Sequence, residues 1–297
     1  MFSTYEEARQ ALSDAGILPG DPLSMSIEEA RRRQSEYFAW LGQDLPEVAA
    51  RQDVTIEGPI GPVTLRIVRP HLNDLAPAAL FVRGAGWWAG DLDSHERNAR
   101  IFANASGMTV CVLDYHRSPE HRYPVQRNEV LAAIRWLRTD GHRYGINPTR
   151  IVLWGESAGA TLALCAAQAL HAAGETWLRG LVLFYGNYEA PGLSDRPYSR
   201  WVYGKYLGNP DLLSDPQAVP LLAPMRGLPP TWLGVGEMDP LIGATLALSQ
   251  QLEAARVAVE LVRFDGLPHA FVSLARILRA ADAGLRVAAR AACLMTS

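Results

Sequence analysis

The sequence predicts an α/β fold: a mostly parallel, eight-stranded sheet flanked by helices, with a helical cap. Three observations predict it. Short apolar runs rich in β-branched residues are bounded by Gly, Pro or Asp, helical stretches alternate with them, and one Pro- and aromatic-rich segment interrupts the alternation. Hydrophobic residues at 48% and charged residues at 20% suit a globular chain whose length permits a sizeable core.

Residues 1–50 read as helical, with Tyr37, Phe38, Trp40 and Leu41 on an apolar face. Arg31, Arg32 and Arg33 stand beside Glu28, Glu29 and Glu36, the mixed pattern of a solvated helix face rather than a nucleic-acid patch. Strands are predicted at 54–56, 63–68, 78–82, 109–113, 151–154, 181–185, 231–235 and 259–264. The first two are separated only by Gly58-Pro59-Ile60-Gly61-Pro62 and should form an antiparallel hairpin. The last six are nearly continuous apolar runs, as in parallel strands buried on both faces. Helices are expected at about 94–105, 126–139, 158–172, 243–255 and 272–292. The organisation expected is cap helices at 1–50, core at 51–187, a cap insertion at 188–226 and core again at 227–297.

Twenty-eight basic against 31 acidic residues leave a net charge of −3, so no overall field draws the chain to nucleic acid. Lys205 is the only lysine. Cys111, Cys165 and Cys293 are too few and scattered for a disulfide framework or a zinc site. The N-terminus carries acids where an export signal carries bases. The longest apolar stretch, 158–173, is interrupted by Gln168 and His171. The expectation is a cytoplasmic protein without a membrane partner.

Gly155-Glu156-Ser157-Ala158-Gly159 follows a predicted strand and precedes a predicted helix, the context of a nucleophile elbow with Ser157 at its apex. A serine hydroxyl needs a base, and the base needs an orienting acid. Asp239 and His269 each lie just past a predicted strand, on the sheet edge that carries Ser157, and in the chain order nucleophile, acid, base. Glu237 and Asp265 are the rival acids; Asp239 is favoured. His142 and His171 sit near helix ends and read as surface residues. The N–H of Ala158 is one oxyanion donor, and the loop after the third strand should supply others. Asp91, Asp93 and His95 alternate like metal ligands, but no further ligand completes a set. Turn and helix-start chemistry, with Asp93 or Ser94 as N-cap, explains them better, and no metal is expected.

In this order the chain resembles the hormone-sensitive-lipase-like family of α/β hydrolases, the bacterial esterase and acetylhydrolase group. The resemblance runs from about 60 to 275. It covers the loop at 83–95, the Asp114-Tyr115-His116-Arg117-Ser118-Pro119-Glu120-His121 stretch and Asn147-Pro148-Thr149-Arg150-Ile151. It continues through the serine pentapeptide, Asp215-Pro216-Gln217-Ala218-Val219-Pro220, Asp239-Pro240-Leu241 and the loop around His269. It implies an α/β-hydrolase fold, ester hydrolysis through an acyl-enzyme, no metal or organic cofactor, and a cap built from the N-terminus plus the insertion.

Two departures stand out. Where the family has His-Gly-Gly-Gly, this chain has Arg83-Gly84-Ala85-Gly86; carried over by position, Ala85 and Gly86 supply the loop's oxyanion donors. A backbone donor survives the exchange of Gly for Ala, but a Cβ narrows the pocket and costs energy where φ is positive. Arg83 is read either as a loop anchor, paired with Glu120 or a nearby Asp, or as a contact to an acidic substrate group. His116-Arg117-Ser118 also differs from the family's Arg-Leu-Ala. Of Trp87 and Trp88, one is expected to line the acyl pocket and the other to pack beneath the cap.

The function expected is a serine hydrolase that cleaves a small carboxylic ester, acetyl or short acyl, with Ser157, His269 and Asp239 as triad. The same triad serves amide or formamide hydrolysis and acyl transfer. A non-hydrolytic enzyme or a ligand-binding member of the fold is the remaining reading. The partner expected is a small-molecule ester or acyl substrate, and the assembly a monomer or homodimer.

Overall fold

The computed structural model describes residues 1–72, 75–190 and 196–297. Its strands are β1 (Ala50–Gly58), β2 (Gly61–Arg69), β3 (Ala76–Val82), β4 (Thr109–Asp114), β5 (Ile146–Glu156), β6 (Gly180–Phe184), β7 (Thr231–Gly236) and β8 (Val259–Phe264). They form one sheet in the order β1-β2-β4-β3-β5-β6-β7-β8. β1 and β2 make the expected antiparallel hairpin, β2 runs antiparallel to β4, and the remaining pairings are parallel. This is the α/β-hydrolase fold.

The helices are α1 (Tyr5–Asp14), α2 (Ile27–Leu41), α3 (Glu96–Ser106), α4 (Val125–Thr139), α5 (Ala158–Ala172), α6 (Pro197–Leu207), α7 (Ile242–Ala254) and α8 (Arg279–Met295). Alternation along the central strands sorts them into two layers. On β3, Ala78, Leu80 and Val82 belong to the core that includes residues of α4, α5 and α7, while Ala79 and Phe81 belong to the one that includes residues of α3 and α8. On the second face Trp154 of β5 is sandwiched between Phe81 and Phe102, at ring centroid distances of 3.7 and 4.2 Å. Large stacked rings of this kind bury much apolar area for few rotatable bonds, which stiffens the strand that carries the functional turn.

Three expectations are corrected. β8 ends the sheet, so it is partly exposed along its length instead of buried on both faces, and Glu260 and Arg263 reach solvent. The helix expected at 272–292 is divided into a 3₁₀ turn at Phe271–Leu274 and α8. Between them Leu278 takes extended backbone to bridge Phe2, whose N–H donates to the Ile277 carbonyl. Arg31 does not share the solvated face of Arg32 and Arg33. It turns inward, donating to the carbonyls of Trp88 and Ser118 and pairing with both Glu120 oxygens at 2.7 Å.

The cap region holds α1 and α2 from before the sheet and α6 from between β6 and β7. Of the predicted insertion 188–226, residues 191–195 lie outside the described residues. Among the described residues no helix is long and apolar enough to cross a membrane.

The close approach of α5 to β3 is made by glycine. A Cβ on Gly159 would stand 2.0 Å from the Val82 carbonyl oxygen, backbone against backbone. Gly159→Ala should therefore lower stability by about 3 kcal/mol or more, read as a shift in the denaturant midpoint. A midpoint equal to that of the parent would show that β3 and α5 separate at little cost.

Candidate active site

β5 delivers the chain into a sharp turn at Ser157, whose backbone stands at φ 50° and ψ −120° before α5 begins at Ala158. A residue with a Cβ occupies this region only under constraint. Here the Ser157 N–H donates to the Phe184 carbonyl at 2.9 Å, and Gly155 leaves room for the α5 backbone: a Cβ there would meet the Gly159 carbonyl oxygen at 2.5 Å. Ser157 is thereby lifted to the carboxyl end of the sheet, where the loops after β7 and β8 carry Asp239 and His269.

The structure joins the three residues in one hydrogen-bonded chain. Ser157 Oγ lies 2.8 Å from His269 Nε2, and His269 Nδ1 lies 2.8 Å from Asp239 Oδ2. Asp239 is buried, and its other oxygen accepts the Leu241 N–H at 2.7 Å, which fixes the carboxylate plane. The rival acids Glu237 and Asp265 are exposed. A serine, an imidazole and a buried acceptor in this order can transfer a proton off the hydroxyl while the acid holds the imidazole tautomer.

Around the triad lies a cavity of about 440 Å³, walled by the loop after β3, the triad loops, α1, α2 and α6. Ala85, Gly86 and Trp87 follow one another at φ 75°, 62° and 64°. Ala85 thus sits in the left-handed region that disfavours a Cβ, the strain foreseen for its replacement of glycine. Among the described residues nothing accepts from the N–H groups of Ala85, Gly86 or Ala158.

Arg83 is fully buried and does not line this cavity. It donates to the carbonyls of Ala89 at 2.7 Å and Tyr115 at 3.0 Å, pairs with Asp114 at 3.3 Å, and lies 4.1 Å over the Tyr115 ring. These are the contacts of an anchor, with Asp114 as its acid; Glu120, the other partner considered, belongs to Arg31. Trp87 also stays out of the cavity, stacked 4.3 Å from Tyr206 of α6, whereas Trp88 lines it and donates its indole N–H to Tyr198 at 3.2 Å. Asp91, Asp93 and His95 do not converge. Asp91 and Ser94 exchange hydrogen bonds, Asp93 pairs with Arg66, and His95 packs 5.0 Å from Phe38. The N-cap of α3 is His95, without a side-chain cap, rather than Asp93 or Ser94.

The turn carries an unusual carboxyl. Glu156 is buried and, among the described residues, its carboxyl holds only the Asn98 amide, at 3.2 and 3.4 Å. Burial pushes its pKa up to about 8, against the small opposing effect of Asn98. Burial, aided by Arg83, likewise pushes His95 down to about 3.

Comparison with known proteins agrees with this geometry. A family model described as the alpha/beta hydrolase fold matches residues 79–273. The chain belongs to the alpha/beta-hydrolase esterases. It is 32% identical to Esterase LipI of Mycobacterium tuberculosis, over 89% of this chain and 88% of the relative. It is 30% identical to an acetyl esterase of Salmonella paratyphi B, over 92% and 88%. Among solved structures it resembles the thermostable carboxylesterase EstE1 from a metagenomic library, with a TM-score of 0.89 at 27% identity over 93% of this chain and 100% of that one. A thermostable esterase of Pseudomonas putida has the same TM-score at 26% identity, over 100% and 99%. This chain is thus a serine hydrolase of carboxylesterase type with a Ser157–His269–Asp239 triad.

Sequence reasoning missed several residues of this esterase's cavity. Tyr185 is the clearest: expected at the end of a strand, it leaves β6 at φ 39° and places its ring 5.0 Å from that of His269. The following Gly186 was the available signal. Leu12, Tyr37 and Phe38 of the first helices, and Arg196 and Tyr198 at α6, also line the cavity. They carry no motif.

Two outcomes follow from the buried charges. Between pH 4.5 and about 8 the unfolded chain releases the Glu156 proton while the folded chain retains it, so this carboxyl lowers stability as pH rises through that window. Glu156→Gln should lose less melting temperature than the parent between the two ends of the window; an identical slope would show that Glu156 ionises normally. Arg83→Met strands two buried carbonyls and should cost about 2 kcal/mol or more, with turnover of neutral and anionic esters falling in equal proportion. Selective loss of anionic esters would make Arg83 a substrate contact after all.

Proposed function

We propose that this esterase cleaves small carboxylic esters with an acetyl or short acyl group, as a member of the hormone-sensitive-lipase-like group. The continuous Ser157–His269–Asp239 chain beside a cavity of about 440 Å³ carries the reading. The cavity suits a small ligand. The acetyl esterases it resembles support the acyl class, and the loop at 83–95 with a two-part cap supports the group.

In the reaction, Ser157 Oγ attacks the ester carbonyl as His269 Nε2 takes its proton. Asp239, bonded to Nδ1, stabilises the imidazolium so formed. The carbonyl oxygen becomes an oxyanion facing the N–H groups of Ala158, Ala85 and Gly86, and the first of these also stands at the α5 N-terminus, where the helix dipole favours negative charge. Collapse breaks the bond to the alcohol, which leaves with the proton from His269. Water, deprotonated by His269, then attacks the acyl-serine, and breakdown of the second tetrahedral species restores Ser157.

A fluorophosphonate probe should label Ser157 alone among the serines, and Ser157→Ala should be unlabelled; a labelled alanine variant would move the nucleophile elsewhere. Asp239→Asn should lower kcat for p-nitrophenyl acetate by about 10⁴-fold with the fold intact by circular dichroism. Full activity in that variant would reassign the acid.

A further inference from the structure

The cavity that holds Ser157 is charged asymmetrically. Among the described residues that line it, the cations are Arg9 and Arg196, and the one carboxyl is Glu156. Neither arginine has a carboxylate within salt-bridge distance among the described residues, whereas Arg31, Arg66 and Arg83 each hold one. Glu156 does not balance them. Its elevated pKa keeps most of it protonated at neutral pH, and it already holds Asn98.

Arg196 is the more telling of the two. Arg9 is exposed and its charge is screened by solvent. Arg196 is half-buried, directly before α6, and its Nη1 is a buried atom with no hydrogen-bond partner among the described residues. What faces the cavity is the rest of this half-buried side chain, a cation partly withdrawn from water with no carboxylate to offset the loss, which a carboxylate on a ligand would supply. The remaining wall is largely apolar, with Leu12, Leu18, Phe38 and Val202 among its members. In such surroundings an ion pair is stronger than in water, and a planar guanidinium meets a carboxylate through two parallel hydrogen bonds.

We infer that Arg196 is a specificity-determining residue that binds a carboxylate on the substrate, so that this esterase favours esters bearing a free carboxylate over neutral esters of the same size. The inference rests on the esterase function proposed above and adds the substrate's charge to it. Half-esters of dicarboxylic acids place that charge on the acyl side; esters of hydroxy acids place it on the alcohol side.

The test uses two matched pairs in a pH-stat at constant ionic strength. Monoethyl glutarate is compared with ethyl pentanoate, and butyryl glycolate with propyl butyrate. For each pair the ratio of kcat/KM, anionic over neutral, is measured for the parent and for Arg196→Gln. Because both substrates are read on the same sample, partial misfolding cancels from the ratio. Loss of a charge-assisted hydrogen-bond pair should lower the ratio by about tenfold or more in at least one pair. A fall of about threefold or more in either pair supports the inference, and a smaller change in both overturns it. If the parent neither turns over the neutral esters nor takes a fluorophosphonate on Ser157, the esterase function fails and the inference with it.

Discussion

The constraint on which the site depends is the backbone at Ser157. A residue with a Cβ at φ 50° and ψ −120° costs about 1–3 kcal/mol. The fold meets that cost with contacts on every side of the turn. β6 accepts the Ser157 N–H through Phe184, glycine at 155 and 159 lets α5 press against β3 and β5, and the Phe81–Trp154–Phe102 stack holds the strand below. The same pressure aligns the rest of the chemistry. Val82 pairs with Gly155 across β3 and β5, so the loop that follows β3 emerges beside the serine.

That loop is built from unusual parts, and the structure shows how they are supported. Arg83 knits the loop from within, bonding the Ala89 carbonyl on one side and the Tyr115 carbonyl and Asp114 on the other. Arg31 ties α2 to the outside of the same loop through the Trp88 carbonyl. Trp87 and Trp88 divide the remaining work: one is a pillar beneath α6, the other a wall of the cavity. The strained φ of Ala85 is held between these supports. The helices α2 and α6 are thus tied directly to the loop after β3, through Arg31, Trp87 and Trp88.

Much of the chemistry was legible in the residues. The serine pentapeptide, the acid and the base each stand just beyond an apolar run, and parallel strands bring all such positions to one edge of the sheet. Order along the chain admits Asp239, Glu237 and Asp265 alike, and the packing selects among them: Asp239 meets His269, while Glu237 and Asp265 are exposed. The errors arose where the outcome depended on a distant neighbour. β8 is exposed because nothing follows it in the sheet, and residues 272–292 divide because Phe2, at the other end of the chain, bridges Leu278. Arg31 resembles its neighbours on α2 until Trp88, Ser118 and Glu120 are brought against it.

The sequence by itself determined the α/β alternation, the elbow, the base, a favoured acid and the rival roles for Arg83, because each rests on local patterns of turn, strand and spacing. Only the tertiary structure decided which role Arg83 takes, which tryptophan faces the cavity, and that Tyr185, the first helices and Arg196 complete it. The reason is physical. A motif records what the backbone must do nearby, whereas the burial of a charge and its lack of a partner are properties of everything packed around it.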